Sequence, residues 1–283
     1  MPLPPRTLVS AAELRGLLAG AEPIVVVDTG FDLADPSAGE RQWREGHVPG
    51  SFYLHLDRDL SAAKTGRNGR HPLPARDAFA QALAGIGVTP QTTVVALDRQ
   101  GGPYAARLWW MLRWIGHADT AVLDGGLAAW QAGGGVLDGA LPVPLAAPPY
   151  PTRTPLAGTL DADALQAGLG RLRLVDARAG ERFRGEVEPL DAVAGHIPGA
   201  SNRFFKDNLD ADGRFKSAAA LRTAFTALLG AVASAATVHH CGSGVTACHN
   251  LLAMEHAGLA GSLLYPGSWS EWSADPARPV ATG

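Results

Sequence analysis

The sequence predicts an α/β protein of two similar domains, each a mostly parallel sheet flanked by helices on both faces. Three observations carry this. Short apolar runs rich in Val and Leu alternate with stretches of helical period, the pattern of strand–helix units whose strands are covered on both faces. The whole pattern occurs twice along the 283 residues. The apolar runs end at Asp28, Asp98, Asp176 and Cys241, which places polar groups at the C-terminal sheet edge, where such sheets bind ligands.

The duplication rests on four motif pairs in one order. Val25-Val-Val-Asp-Thr-Gly30 recurs as Leu174-Val-Asp-Ala-Arg178, and Gly46-His-Val-Pro-Gly-Ser51 as Gly195-His-Ile-Pro-Gly-Ala200. Val94-Val-Ala-Leu-Asp98 recurs as Thr237-Val-His-His-Cys241, and Leu123-Asp-Gly-Gly-Leu-Ala-Ala-Trp130 as Leu264-Tyr-Pro-Gly-Ser-Trp-Ser-Glu-Trp272. The offsets run from 142 residues (Trp130 to Trp272) to 149 (His47 to His196). Conserved order at near-constant spacing is the mark of a tandem repeat.

In the first copy, Ser10 caps a helix over Ala11–Leu18, with Glu13 at the capping-box position. A strand over Ile24–Val27 ends in Asp28. The polar stretch Glu40–Glu45 is helical and runs into the Gly46-His-Val-Pro-Gly50 turn. Ala75–Ala84 is an amphipathic helix, Thr93–Leu97 a strand, and Tyr104–Ile115 a helix rich in Trp and Leu. A last strand, Ala121–Leu123, precedes a helix at Leu127–Ala132. The second copy follows with helix Ala162–Leu169, strand Leu172–Val175, helix Ala218–Leu229, strand Thr237–His240, helix Val245–Gly258 and strand Leu263–Leu264. Between the copies, Gly135–Gly158 holds six prolines, which no regular element tolerates. The domains are therefore 1–140 and 158–283, joined by a proline-rich linker at 141–157 and dividing near residue 145. Two domains of one ancestry commonly leave a cleft, and a cleft is a common ligand site.

Charge and cysteine usage exclude several classes of function. A net charge of -3 with no basic run gives no attraction to nucleic acid or an anionic membrane. The N-terminal Met-Pro-Leu-Pro-Pro lacks the apolar core of a signal peptide, and Ala227–Val238 is too short to span a bilayer. Cys241 and Cys248 flank a helix start, a poor geometry for a disulfide and too few ligands for zinc. A cytoplasmic protein in a reducing compartment, with no metal and no cofactor, is expected.

The chemistry centres on Thr237–Asn250. Cys241 follows a strand directly, Gly242 and Gly244 allow a tight turn that gathers amide N–H groups, and a helix begins at Val245. Converging amide dipoles in such a loop stabilise an anion on sulfur. A buried, inert cysteine is the bland alternative; the two glycines and the strand–loop–helix setting favour a nucleophile. A phosphatase loop would end in an arginine that grips phosphate, and Ala247 stands there. Thioredoxin-like chemistry needs a Cys-x-x-Cys pair, which Cys248 is too distant to complete.

Cys241-Gly-Ser-Gly-Val-Thr-Ala247, Gly195-His-Ile-Pro-Gly-Ala200 and Tyr265-Pro-Gly-Ser-Trp-Ser-Glu-Trp272 resemble the tandem-domain rhodaneses, the thiosulfate and 3-mercaptopyruvate sulfurtransferases. The resemblance covers essentially the whole chain. It implies two rhodanese-like domains, the first inactive because Asp98 replaces the cysteine, the second carrying a persulfide on Cys241. The amides of Gly242, Gly244, Val245 and Thr246 would hold the persulfide. By the same resemblance Ser243 would join a relay with His47 and Asp35, although His47 also reads as a brace for its turn, like His196. Arg182 would bind a substrate carboxylate, or else pair with Glu186 or Glu188. Asp176 and Arg178 read as a structural ion pair, Trp269 and Trp272 as core or cleft. The neutral Gly-Ser-Gly loop matches family members that use 3-mercaptopyruvate, passing sulfur to a thiol, cyanide or a thioredoxin-like protein. Leu190-Asp191 departs from the second arginine those members carry, which keeps thiosulfate open as donor. A sulfur-relay module serving a protein partner is the remaining alternative.

Overall fold

The computed structural model describes residues 6–144 and 147–283. The stretch 1–5, read above as lacking a signal peptide, and the division point near residue 145 lie outside the described residues. The chain forms two compact units. The first comprises 1–61, 74–156 and 211–214; the second comprises 62–73, 157–210 and 215–283. Segment 62–73, inside the first repeat by sequence, thus belongs to the second unit.

The first unit is a five-stranded sheet in the order β1-β5-β4-β2-β3, every pair parallel. Its strands are β1 (Leu8–Val9), β2 (Ile24–Asp28), β3 (Phe52–Tyr53), β4 (Thr93–Leu97) and β5 (Thr120–Leu123). Its helices are α1 (Ala11–Ala19), α2 (Ala38–Glu45), α3 (Arg76–Gly85), α4 (Pro103–Trp114) and α5 (Gly126–Ala132). The Ser10 capping box forms as the sequence predicts: the Glu13 amide donates to Ser10 Oγ while the Glu13 carboxylate accepts from the Ser10 amide. β4 and β5 are almost wholly buried, which explains their uninterrupted apolar runs. β1 and β3 are too short for periodicity to reveal, since two residues carry no period.

The second unit is a four-stranded parallel sheet in the order β7-β6-β8-β9. It comprises α6 (Ala162–Ala167), β6 (Arg173–Asp176), α7 (Gly180–Phe183), β7 (Ala200–Asn202), α8 (Ala218–Leu229), β8 (Thr237–His240), α9 (Thr246–His256), β9 (Leu263–Leu264) and α10 (Ser268–Trp272). A lone parallel bridge from Thr159 to Leu264 stands where the first unit has β1. Trp269, Trp272 and Tyr265 pack with Leu165, Leu174, Ile197 and Val238 in the core and are fully buried. The two tryptophans are therefore core side chains. In each unit the C-terminal strand edge gathers the polar groups expected there, and in the second unit that edge carries Cys241.

Candidate active site

Cys241 leaves β8 and stands before the first turn of α9, nearly buried. Both cysteines are free. The Gly244 amide donates to Cys241 Sγ at 3.1 Å. Gly244 has φ +76°, a conformation that favours glycine, and a side chain there would strike the Pro266 carbonyl. The loop is pinned from below by the turn before α10. Cys241 N donates to Ser268 Oγ at 3.1 Å, Trp269 N to the Cys241 carbonyl at 2.9 Å, and Ser270 N to the Gly242 carbonyl at 2.9 Å. Ser268 is the one non-glycine residue at positive φ (54°) among the described residues. Such a backbone is strained, and strain of this kind collects at functional sites. The equivalent position in the first unit is Gly126, also at φ +56°. Cys248 lies on α9 and donates from Sγ to the Gly244 carbonyl at 3.4 Å, a packed position and no resolving thiol.

The first unit shows what such a loop does with an anion. Asp98 Oδ1 accepts from the amides of Gln100 (2.9 Å) and Gly102 (2.8 Å), and Oδ2 from those of Tyr104 (2.9 Å) and Ala105 (3.1 Å). Complete burial pushes this carboxyl above its ordinary range, with the four amide bonds pulling the other way. A carboxylate thus occupies the cradle of the first unit. In the second unit Cys241 stands at the position equivalent to Asp98, and its Sγ accepts from the Gly244 amide.

The side chains beside Cys241 come from three segments. Ser243 Oγ is 2.8 Å from His71 Nδ1, both groups buried. His71 lies in segment 62–73 and was absent from the sequence reading, which assigned this role to His47. His47 instead sits in the first unit, its Nδ1 2.7 Å from the Trp43 carbonyl and its ring stacked on Trp43 at 4.7 Å. His196 does the same in the second unit with the Phe183 carbonyl (2.8 Å) and ring (3.8 Å). The two histidines share a bracing role that the duplicated turn explains. Asp35 is exposed and engaged locally, with Arg41 Nη2 at 2.7 Å and Ser37 Oγ at 2.7 Å. These contacts, Arg41 first, hold its carboxyl down to about 2. No pattern in the sequence marks His71, because segment 62–73 has neither periodicity nor a twin motif.

Beneath the loop lies a charged network. Arg178 grips Asp176 with Nε at 3.0 Å and Nη2 at 2.7 Å, and stacks over Trp269 at 4.9 Å. The structural ion pair read from the sequence is present. Burial alone would favour neutral Asp176; His240 and the Arg178 guanidinium overcome it and hold the carboxyl below its usual range. Glu188 joins Arg178 (3.3 Å) to Arg182 (2.6 Å), and Asp191 approaches Arg182 at 3.5 Å and also binds Arg70. Arg182 does face the loop: a Cβ added at Gly242 would lie 3.6 Å from its Nη1 and Nη2. Its ion pair and its place at the site coexist. Among the described residues no cluster of His, Cys, Asp and Glu could hold a metal ion, and no helix is long and apolar enough to cross a membrane.

Comparison with known proteins matches residues 10–133 and 161–275 to the family described as Rhodanese-like domain. A Pseudomonas aeruginosa protein named "Probable 3-mercaptopyruvate sulfurtransferase" is 47% identical over 280 residues, covering 98% of both chains. A Mycobacterium tuberculosis protein named "Putative thiosulfate sulfurtransferase SseB" is 39% identical over 284 residues, again covering 98% of both. Among solved structures, 3-mercaptopyruvate sulfurtransferase from Leishmania major superposes with a TM-score of 0.86 at 31% identity, covering 96% of this chain and 75% of that one.

Proposed function

The chain belongs to the rhodanese-like domain family, with the domain present twice, and from that premise we propose a sulfurtransferase whose sulfur donor is 3-mercaptopyruvate. The Cys241 thiolate attacks the donor's sulfur. An S–S bond forms, the C–S bond breaks, and its electron pair leaves on carbon as the enolate of pyruvate. One proton converts the enolate to pyruvate, and Cys241 is left as a persulfide held by the amides of Gly242, Gly244, Val245 and Thr246. A thiolate acceptor then attacks the outer sulfur and regenerates Cys241. Cyanide would be converted to thiocyanate by the same displacement. A thioredoxin-type protein is the macromolecular acceptor we favour, in the cytoplasm, where both cysteines stay reduced.

The observation that carries the donor choice is the 2.8 Å contact between Ser243 and His71. A hydroxyl–imidazole pair two residues from the nucleophile can deliver a proton to a carbanion leaving group. Pyruvate enolate needs that proton; sulfite, the leaving group from thiosulfate, is a stable anion and does not. Charge supports the same reading. Arg70, Arg178 and Arg182 are matched by Asp176, Glu188 and Asp191, so the network offers no surplus of positive charge to a dianion. In this assignment His71 takes the relay role that the resemblance gave to His47 and Asp35, and Arg182 binds the carboxylate.

The test compares kcat/KM for 3-mercaptopyruvate and thiosulfate with one thiol acceptor. We expect the keto-acid thiol to be preferred by at least tenfold, and Cys241→Ser to abolish transfer from either donor. A higher kcat/KM with thiosulfate overturns the donor; transfer retained by Cys241→Ser overturns the mechanism.

A further inference from the structure

We propose that the second unit binds a phosphate dianion, free or as a small monoester, between Arg171 and Arg173 at the N-terminal edge of its sheet. Cys241 stands off the opposite edge, beyond the end of β8, so this site is separate from the sulfur chemistry. A cavity of about 240 Å³ opens at the start of β6, and its lining includes Arg171, Arg173, Gly170, Gly199 and Val232. Sites for drug-sized ligands run to about 300–1,000 Å³, so the occupant here is a compact group.

The duplication supplies a comparison within the same chain. Counting back from Asp28 and Asp176, Arg171 and Arg173 correspond to Pro23 and Val25. In the first unit those two residues line a cavity of about 430 Å³ together with Ile24, Phe52 and Ile86, and Pro142 and Val143 border it. A hollow at this edge is therefore a property of the fold. Its lining is apolar in the first unit, whereas the second places a cation at each of the two corresponding positions.

Neither cation is neutralised. Arg171 Nη2 donates to the Ala167 carbonyl at 2.6 Å, at the end of α6. Arg173 Nη1 reaches Ser201 Oγ at 3.5 Å, the outer limit of a hydrogen bond. Each guanidinium thus spends one N–H of its fork on the protein. Among the described residues neither has an ion-pair partner, whereas Arg178 and Arg182 of the same unit are both paired with acids. Two like charges set one residue apart repel each other. A dianion held by both forks replaces that repulsion with charge-assisted hydrogen bonds, and phosphate matches the fork geometry. The approach is open, since a Cβ added at Gly170 or Gly199 would meet nothing within 4 Å. The amides of these two glycines donate to no protein acceptor among the described residues.

The experiment uses the full chain with inorganic phosphate, glycerol 3-phosphate and acetate as probes. Ionic strength is held constant with chloride, at a mildly alkaline pH where both phosphates are dianions. We expect calorimetry to show one site for each phosphate with a Kd of about 1 mM or below, and none for acetate. Arg171→Gln and Arg173→Gln should each weaken binding by roughly tenfold, and the double variant should abolish it. Arg173→Val, which installs the first unit's residue, should do the same as Arg173→Gln and guards against a folding defect peculiar to one substitution. Arg182→Gln should leave phosphate affinity within twofold, and the Arg171→Gln, Arg173→Gln double variant should keep wild-type kcat/KM for 3-mercaptopyruvate within twofold. Glycerol 3-phosphate should raise the thermal midpoint of the wild type and not that of the double variant. Tighter binding of glycerol 3-phosphate assigns the site to a monoester, and equal or tighter binding of inorganic phosphate assigns it to free phosphate. No binding at about 10 mM phosphate, equal binding of acetate, or unchanged affinity in the double variant overturns the site. Loss of binding in Arg182→Gln with retention in the double variant places the anion beside Cys241 and overturns it equally.

Discussion

Gly242 and Gly244 look alike in the sequence, yet the structure gives them opposite responses to the same added methyl group. In Gly244→Ala the new Cβ falls 2.3 Å from the Pro266 carbonyl oxygen and 3.0 Å from its carbon, with φ at +76°. The left-handed backbone alone costs an alanine roughly 1–2 kcal/mol. The obstacle is backbone, so relief needs a shift of about 1 Å in the loop or in the turn before α10, and overpacking of this kind adds about 1–3 kcal/mol. We expect a total of about 2–5 kcal/mol by urea denaturation. Moving the loop also breaks the 3.1 Å bond from Gly244 N to Cys241 Sγ. Displacement of a reacting atom by that amount costs on the order of 100-fold in rate, read as single-turnover persulfide formation. In Gly242→Ala the obstacle is the tip of Arg70, which can swing away. Stability should fall by less than about 1 kcal/mol, with KM for the donor rising. Equal destabilisation of the two variants, or wild-type persulfide formation by Gly244→Ala, would refute this reasoning.

Three further outcomes follow from the same geometry. Ser243→Ala and His71→Asn should each lower kcat for 3-mercaptopyruvate by about 10²–10⁴-fold and change thiosulfate turnover little; equal losses with both donors would remove the proton relay. Asp176→Ala strands the buried Arg178 and should cost about 3–5 kcal/mol, measured as a lowered urea midpoint; a loss under about 1 kcal/mol would show that Trp269 and Glu188 suffice to hold the guanidinium. Burial, aided by neighbouring His240, pushes His239 down to about 3, whereas the unfolded chain protonates it near 6.5. This lowered value means that its stabilisation is complete above pH 6.5 and is lost as pH falls toward 3. Between pH 7 and 5 the loss is about 2 kcal/mol. His239→Leu should flatten that part of the pH–stability profile, and an unchanged slope would show that His239 is not its source.

Much of the molecule was legible as a pattern. The tandem repeat, the long strands β2, β4 and β8, and helices α1, α4, α8 and α9 lie within a residue or two of where periodicity and capping put them, because these signals are local. The one-residue difference between the two cradles, Asp98 in the first and Cys241 in the second, is likewise a fact of sequence. Asp98's four amide bonds give it a physical basis.

The sequence by itself determined the two α/β repeats, the cysteine at the end of β8 where the first repeat has an aspartate, and the neutral loop that follows it, since each depends on residues adjacent in the chain. Only the tertiary structure decided who stands beside Cys241. His71 and Arg70 belong by sequence to the first repeat but fold with the second unit. Ser268 reaches Cys241 through a strained turn, and Asp191 finds its arginine 121 positions away. The duplicated motif made His47 attractive, but it is a brace shared with His196. Side chains that converge on a site from irregular segments carry no period and no local partner, so only the folded chain brings them together.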